Sequence, residues 1–246
     1  MEDSGGRHHP AAQSTLVATS ETVNTLRRHK YAILLAALLA VALIDSFSQR
    51  LLPPIVSDLV IMTTTLLVFL VVFQRRADRL VAFVAVVIAA ATTAAHYLLS
   101  GGYADSPLRV INHSAKLLLI GFATFVILRN IFAQRDVRVD DVFGAMCGYL
   151  LAAGAWADIF LLIEVFLPGS FSVSPTFGGW LDTWDGRIAI LTNVSLASLT
   201  SIGSTAAVAV RPPATILVPL EALFGQFYIA VVVAQLVGAR LSARLE

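Results

Sequence analysis

The side chains best suited to chemistry lie in one stretch, residues 193–206, N-V-S-L-A-S-L-T-S-I-G-S-T-A. Two kinds of chemistry suit such a hydroxyl-rich run. Ser198, Ser201 or Ser204 with His96 or His113 would form the nucleophile–base dyad of an intramembrane serine enzyme, which needs the base within hydrogen-bond reach. Both histidines belong to other segments, however, and no G-x-S-x-G stands here. The other chemistry is the passage of solutes along exposed backbone. The stretch is flanked by two long apolar runs, 142–166 and 215–237. Each is long enough to cross a bilayer, which takes roughly 20 apolar residues at about 1.5 Å rise. The stretch between is too short and too polar to cross. It reads as a re-entrant loop, a half-helix that dips in followed by an extended return. Bare backbone at that depth is tolerated only where protein buries it or where it lines a water-filled path. The stretch therefore predicts a pore.

Composition agrees with a helical membrane protein. Of 246 residues, 57% are hydrophobic and 13% charged, and mean hydropathy is +0.80. Soluble domains hold about 45–50% apolar residues. A net charge of +1 gives no reason to expect a nucleic-acid partner. The single cysteine, Cys147, cannot form an intrachain disulfide and reads as a small core residue. No Cys/His cluster has metal-ligand spacing, so no cofactor is expected beyond permeant monovalent ions.

The elements that would position the loop follow from the apolar runs. Residues 1–26 are polar and rich in small residues, the pattern of a disordered tail. Runs at 31–47, 55–73, 80–99 and 117–132, the last extended by 108–116, suggest a four-helix N-terminal membrane domain over 27–139. The runs around the loop make a second unit, 140–246. Arg27, Arg28 and Lys30 before the first run also resemble a signal peptide, but they lie well inside the chain and further apolar runs follow. Six spans put both termini on one side. With that side cytoplasmic, 12 of the 17 Lys and Arg residues fall inside and five outside. The positive-inside rule then gives a multi-pass protein of the cell membrane with N and C termini cytoplasmic and the loop on the outer side.

The second unit resembles the pore module of tetrameric potassium channels, and more closely bacterial potassium-channel-family proteins with four extra N-terminal helices. The resemblance rests on G-Y-L-L-A-A-G-A-W (148–156), P-G-S-F (168–171), S-L-A-S-L-T-S-I-G (195–203) and L-E-A-L-F-G-Q-F-Y-I-A-V-V-V-A-Q-L-V-G (220–238). It implies an all-α homotetramer in the lipid bilayer, with six transmembrane helices and a re-entrant pore helix and loop. It also implies a selectivity filter at Thr200, Ser201, Ile202, Gly203, Ser204 and Thr205. Ala206 and Arg211 would stand at the outer mouth. Gly225, Gln226, Ile229, Val233 and Val237 would line the pore and its gate, Gly225 as a hinge or a packing contact. The filter departs from the family's T-V-G-Y-G-D. Ser201-Ile202-Gly203 is conservative, whereas Ser204, Thr205 and Ala206 replace the bracing tyrosine, the second glycine and the acidic ring. Thr205 resists the positive φ a glycine adopts. The expected function is an ion channel with an altered filter and weakly selective or non-selective cation conduction. The alternatives are an anion-tolerant pore, suggested by Arg211, and a non-conducting structural or regulatory channel-like subunit.

Two acids lie in the fifth run, where ionisable residues are costly and usually paired. Glu164 is expected to contact the pore loop, and Asp158 to pair with Arg187 or a pore-helix amide. Arg109, Lys116 and Arg129 do not make the every-third-residue ladder of a voltage sensor. No ligand-sensing domain is expected after Val237.

Overall fold

The structure, a computed structural model, describes residues 29–51, 54–73, 76–100, 107–133 and 139–245. The expected disordered tail, 1–26, lies outside the described residues. Seven α-helices carry the described chain: α1 Lys30–Leu51, α2 Pro54–Val72, α3 Arg76–Ser100, α4 Pro107–Ala133, α5 Val139–Phe166, α6 Trp184–Leu199 and α7 Ala214–Leu245. Between α5 and α7 lie two three-residue strands, β1 Phe171–Val173 and β2 Ala207–Ala209. They pair antiparallel, with Ser172 opposite Val208.

Four stretches are long and apolar enough to cross a membrane: Asp78–Ala95, Pro107–Ala133, Val139–Phe166 and Ala214–Gln235. The chain is thus a mostly helical protein of membrane type. The described apolar parts of α1 and α2, Lys30–Leu43 and Thr63–Val72, are shorter.

Polar contacts fix the register between the apolar helices, where they join surfaces no more apolar than lipid. The Asp140 carboxylate accepts from the amides of Tyr31 at 3.4 Å and Ala32 at 3.2 Å, so α5 satisfies two of the unpaired amides in the first turn of α1. Arg129 near the end of α4 meets Asp78 at the start of α3 at 2.7 Å. Toward the other ends of these two helices, Asn112 donates to Ala89 O at 2.9 Å and to Thr93 Oγ1 at 2.6 Å.

The buried side chains form two cores. One joins α1–α5 to the middle of α7 through Leu34, Phe73, Leu119, Ile127, Cys147 and Tyr228. The other surrounds α6 and contains Phe160, Leu161, Phe171, Trp184, Ile190 and Leu191. Helix α5 contributes to both, which ties the short helix α6 to the first four.

Candidate functional site

Helix α6 starts nine residues before the stretch from which the sequence suggested a half-helix. Thr183 is its N-cap, accepting from Gly186 N at 3.3 Å, and Asp185 lies in its first turn. This polar start, T-W-D-G-R, belongs to no apolar run. The helix is about 24 Å long, against about 30 Å of hydrocarbon.

Three serine and tyrosine hydroxyls lock α6 between α5 and α7. Ser195 Oγ lies 2.7 Å from Ala153 O in α5 and 2.5 Å from Glu221 Oε1 in α7. Ser198 Oγ donates to Val218 O at 2.8 Å. Tyr149 of α5 donates to the Leu199 carbonyl, in the last turn of α6, at 2.8 Å. Tyr228 of α7 donates to Ala145 O at 2.7 Å, and its ring meets that of Tyr149 at 5.3 Å, edge on.

The six expected filter residues follow directly. Ser201 takes φ +59° and Gly203 φ +82°. Ser201 N donates to Ser198 O at 2.8 Å and Ile202 N to Ala197 O at 2.9 Å. This is the Schellman end of a helix, with serine in the left-handed position that glycine usually holds. Gly203 N also donates to Ala197 O, at 3.0 Å. The amides of Ser201, Ile202 and Gly203 are thus spent on α6. Among the described residues nothing donates to their carbonyls. These carbonyls sit at the negative end of the α6 dipole, which favours cations. Ile202 is 83% exposed in the single chain.

The outer half of the loop is different. Thr205 stays out of the left-handed region. Ser204 Oγ meets Asn193 Oδ1 at 2.8 Å and accepts from Ala206 N at 3.1 Å, turning the chain toward β2. Ala206, expected at the mouth, is buried, and its carbonyl accepts from Ser174 N at 2.9 Å. The cause is the β1–β2 pairing, which draws this segment down onto the α5 connection. Arg211, also expected there, is exposed and donates to Pro168 O at 3.4 Å. Its guanidinium faces the α5–β1 turn.

On α7 the expected pore-lining set divides. Glu221, Gly225, Tyr228 and Val232 form the buried stripe at helical spacing. A Cβ on Gly225 would run into the Leu199 carbonyl oxygen, so Gly225 is a close-packing contact in a helix that continues unbroken past it. Gln226, Ile229 and Val233 lie on the exposed face that adjoins this stripe. Gln226 Nε2 donates to Ser201 Oγ at 2.9 Å. The Val237 side chain lies outside the described residues.

Two pairings differ from the expected ones. Asp158 meets His113 Nδ1 at 2.6 Å rather than Arg187, whose Nε donates to Leu181 O at 2.5 Å. Glu164 accepts from Gly169 N at 2.8 Å and Phe171 N at 3.0 Å. It braces the turn into β1 and reaches the loop only through the strand pair. Ser198, Ser201 and Ser204 have Val218 O, Gln226 Nε2 and Asn193 Oδ1 as partners, and His113 has Asp158 and Trp184. The structure does not bring His113 together with these serines. The His96 side chain lies outside the described residues.

Among the described residues no group of three or more His, Cys, Asp or Glu side chains could hold a metal ion. The chain matches no family model, no curated protein and no solved structure. The geometry of α5, α6 and α7 therefore carries the functional reading.

The sequence did not single out Tyr149 and Tyr228 as functional. A signal was present, since a tyrosine hydroxyl within an apolar run needs a partner.

Proposed function

We propose that the protein is an ion channel whose pore forms around the 200–205 loop, and that it conducts monovalent cations with weak selectivity. The observation that supports this most is the loop's hydrogen-bond balance. The amides of residues 201–203 are satisfied by α6, while their carbonyls are left as acceptors at the negative end of that helix. Carbonyls arranged in this way can replace part of an ion's hydration shell. One chain supplies only one set, and a ring needs several. The reading therefore entails a homotetramer with the loops about a common axis.

The same reading gives Gln226, Ile229 and Val233 the wall of the path on α7, with Val237 continuing it at helical spacing. The apolar character of Ile229, Val233 and Val237 suits a constriction that gates by dewetting. Gln226 at its top holds the Ser201 hydroxyl. The channel would be multi-pass in a cell membrane, with no cofactor.

Native mass spectrometry from lipid nanodiscs tests the assembly. Four copies per particle are expected, whereas a uniform monomer or dimer would rule out a ring of carbonyls.

A further inference from the structure

The buried ionisable cluster at the start of α6 plays no part in the pathway above. His113 of α4 is 7% exposed and Asp158 of α5 is 9% exposed. His113 Nδ1 lies 2.6 Å from Asp158 Oδ1, and Trp184, the first residue of α6, points its indole Nε1 at His113 Nε2 at 3.4 Å. An indole N–H only donates. His113 Nε2 must then accept, so the ring is neutral with its hydrogen on Nδ1, donated to Asp158. Three helices meet through this one tautomer.

A second proton can reside only on Nε2. Once there it faces the Trp184 N–H, donor against donor, and the α4–α6 bond is lost. The charged groups that face the ring are the Asp158 carboxylate on α5 and, on its own helix α4, Arg109 and Lys116. From α6, Asp185 is exposed and paired with Arg109 at 3.3 Å. From α3, the hydroxyls of Thr92 and Thr93 line the same cavity, of about 40 Å³ beside the ring, which has room for water to deliver a proton.

We propose that Asp158–His113–Trp184 is a proton-operated latch on the N-terminal end of α6, closed when His113 is neutral and released when it is protonated. The latch deepens the pore reading, since α6 carries the loop, but it can be measured without ion flow. Trp184 becomes the sole indole in the full-length Trp156→Phe/Trp180→Phe protein in nanodiscs of zwitterionic lipid. Its emission is followed from about pH 8 to about pH 4.5, a range spanning ordinary histidine titration. Hydrogen exchange in the first turn of α6, corrected for the intrinsic effect of pH, is measured alongside. The latch predicts a one-proton emission change and roughly five- to tenfold faster exchange on the acid side, the expected effect of losing one hydrogen bond. Both should disappear in His113→Gln. In Asp158→Asn both should move to lower pH, because the carboxylate that favours the imidazolium is gone; a purely structural contact would be weakened without such a shift. Emission and exchange that ignore pH, or a transition unchanged in His113→Gln, overturn the latch. Absence of ion flux with both transitions intact counts against the pore reading alone.

Discussion

Gly225→Ala is expected to disrupt the junction of α6 and α7. The added methyl has no space, because the Leu199 carbonyl occupies its position and a Leu199 side-chain carbon lies 3.2 Å away. Leu199 cannot retreat easily. Its carbonyl is held by Tyr149, and its side chain is fully buried. Overpacking of this kind costs about 1–3 kcal/mol, and here the strain falls where α6 turns into the loop. The melting temperature in detergent should drop, and the proposed tetramer should lose subunits on native mass spectrometry. Gly121→Ala is the control. A Cβ there meets nothing within 4 Å, and the better helix propensity of alanine, about 0.8–1 kcal/mol, should leave the protein as stable or more so. Equal behaviour of the two variants would show that the α6–α7 contact is not close-packed.

Glu221→Ala should be the other severe change. Glu221 is 0% exposed, and among the described residues its Oε2 has no hydrogen-bond partner. Ser195 Oγ approaches both Glu221 Oε1 and Ala153 O. One hydroxyl carries one hydrogen, so only one of these oxygens can accept it. The arrangement closes when Ser195 donates to Ala153 O and a protonated Glu221 donates to Ser195. Glu221→Gln then keeps a donor in the same place and should fold and assemble like the parent. Glu221→Ala leaves a void and strips Ser195 of a buried partner, a loss of about 1–3 kcal/mol before the void is counted. Thermal unfolding of the parent and both variants separates the cases. A Gln variant as damaged as the Ala variant would mean that the carboxylate charge is required and the neutral-acid assignment is wrong.

Both predictions depend on features the sequence reveals unevenly. The four stretches long enough to cross a membrane were legible as long apolar runs bounded by charge or Pro/Gly. The short polar helix and its extended return were legible too, as an interruption between two such runs, although the start of α6 at Trp184 was hidden in a segment of mixed polarity. Contacts between elements were less accessible. Gly225 reads equally as hinge or packing until the Leu199 carbonyl is seen against it. Asp158 suggests a basic partner, and its actual partner, His113, lies 45 residues away on another helix. Only the α4–α5 register reveals that choice. By its place after the filter-like residues, Ala206 reads as part of an exposed mouth. It is buried because two three-residue strands pair, and strands that short leave little pattern to read.

Whether ions pass decides the proposed function. The most direct measurement is the current through the purified protein in planar bilayers, with potassium on one side and sodium on the other, both as chloride. The inner loop offers carbonyls from residues 201–203, while Ser204 bends the chain away and Thr205 avoids the glycine-like backbone. Few dehydrating sites remain, so little of the difference between the two cations is expressed. Cation current is predicted, with a K⁺/Na⁺ permeability ratio between about 1 and about 10. Strong potassium selectivity, a current carried by chloride, or no current above that of the empty bilayer would contradict it.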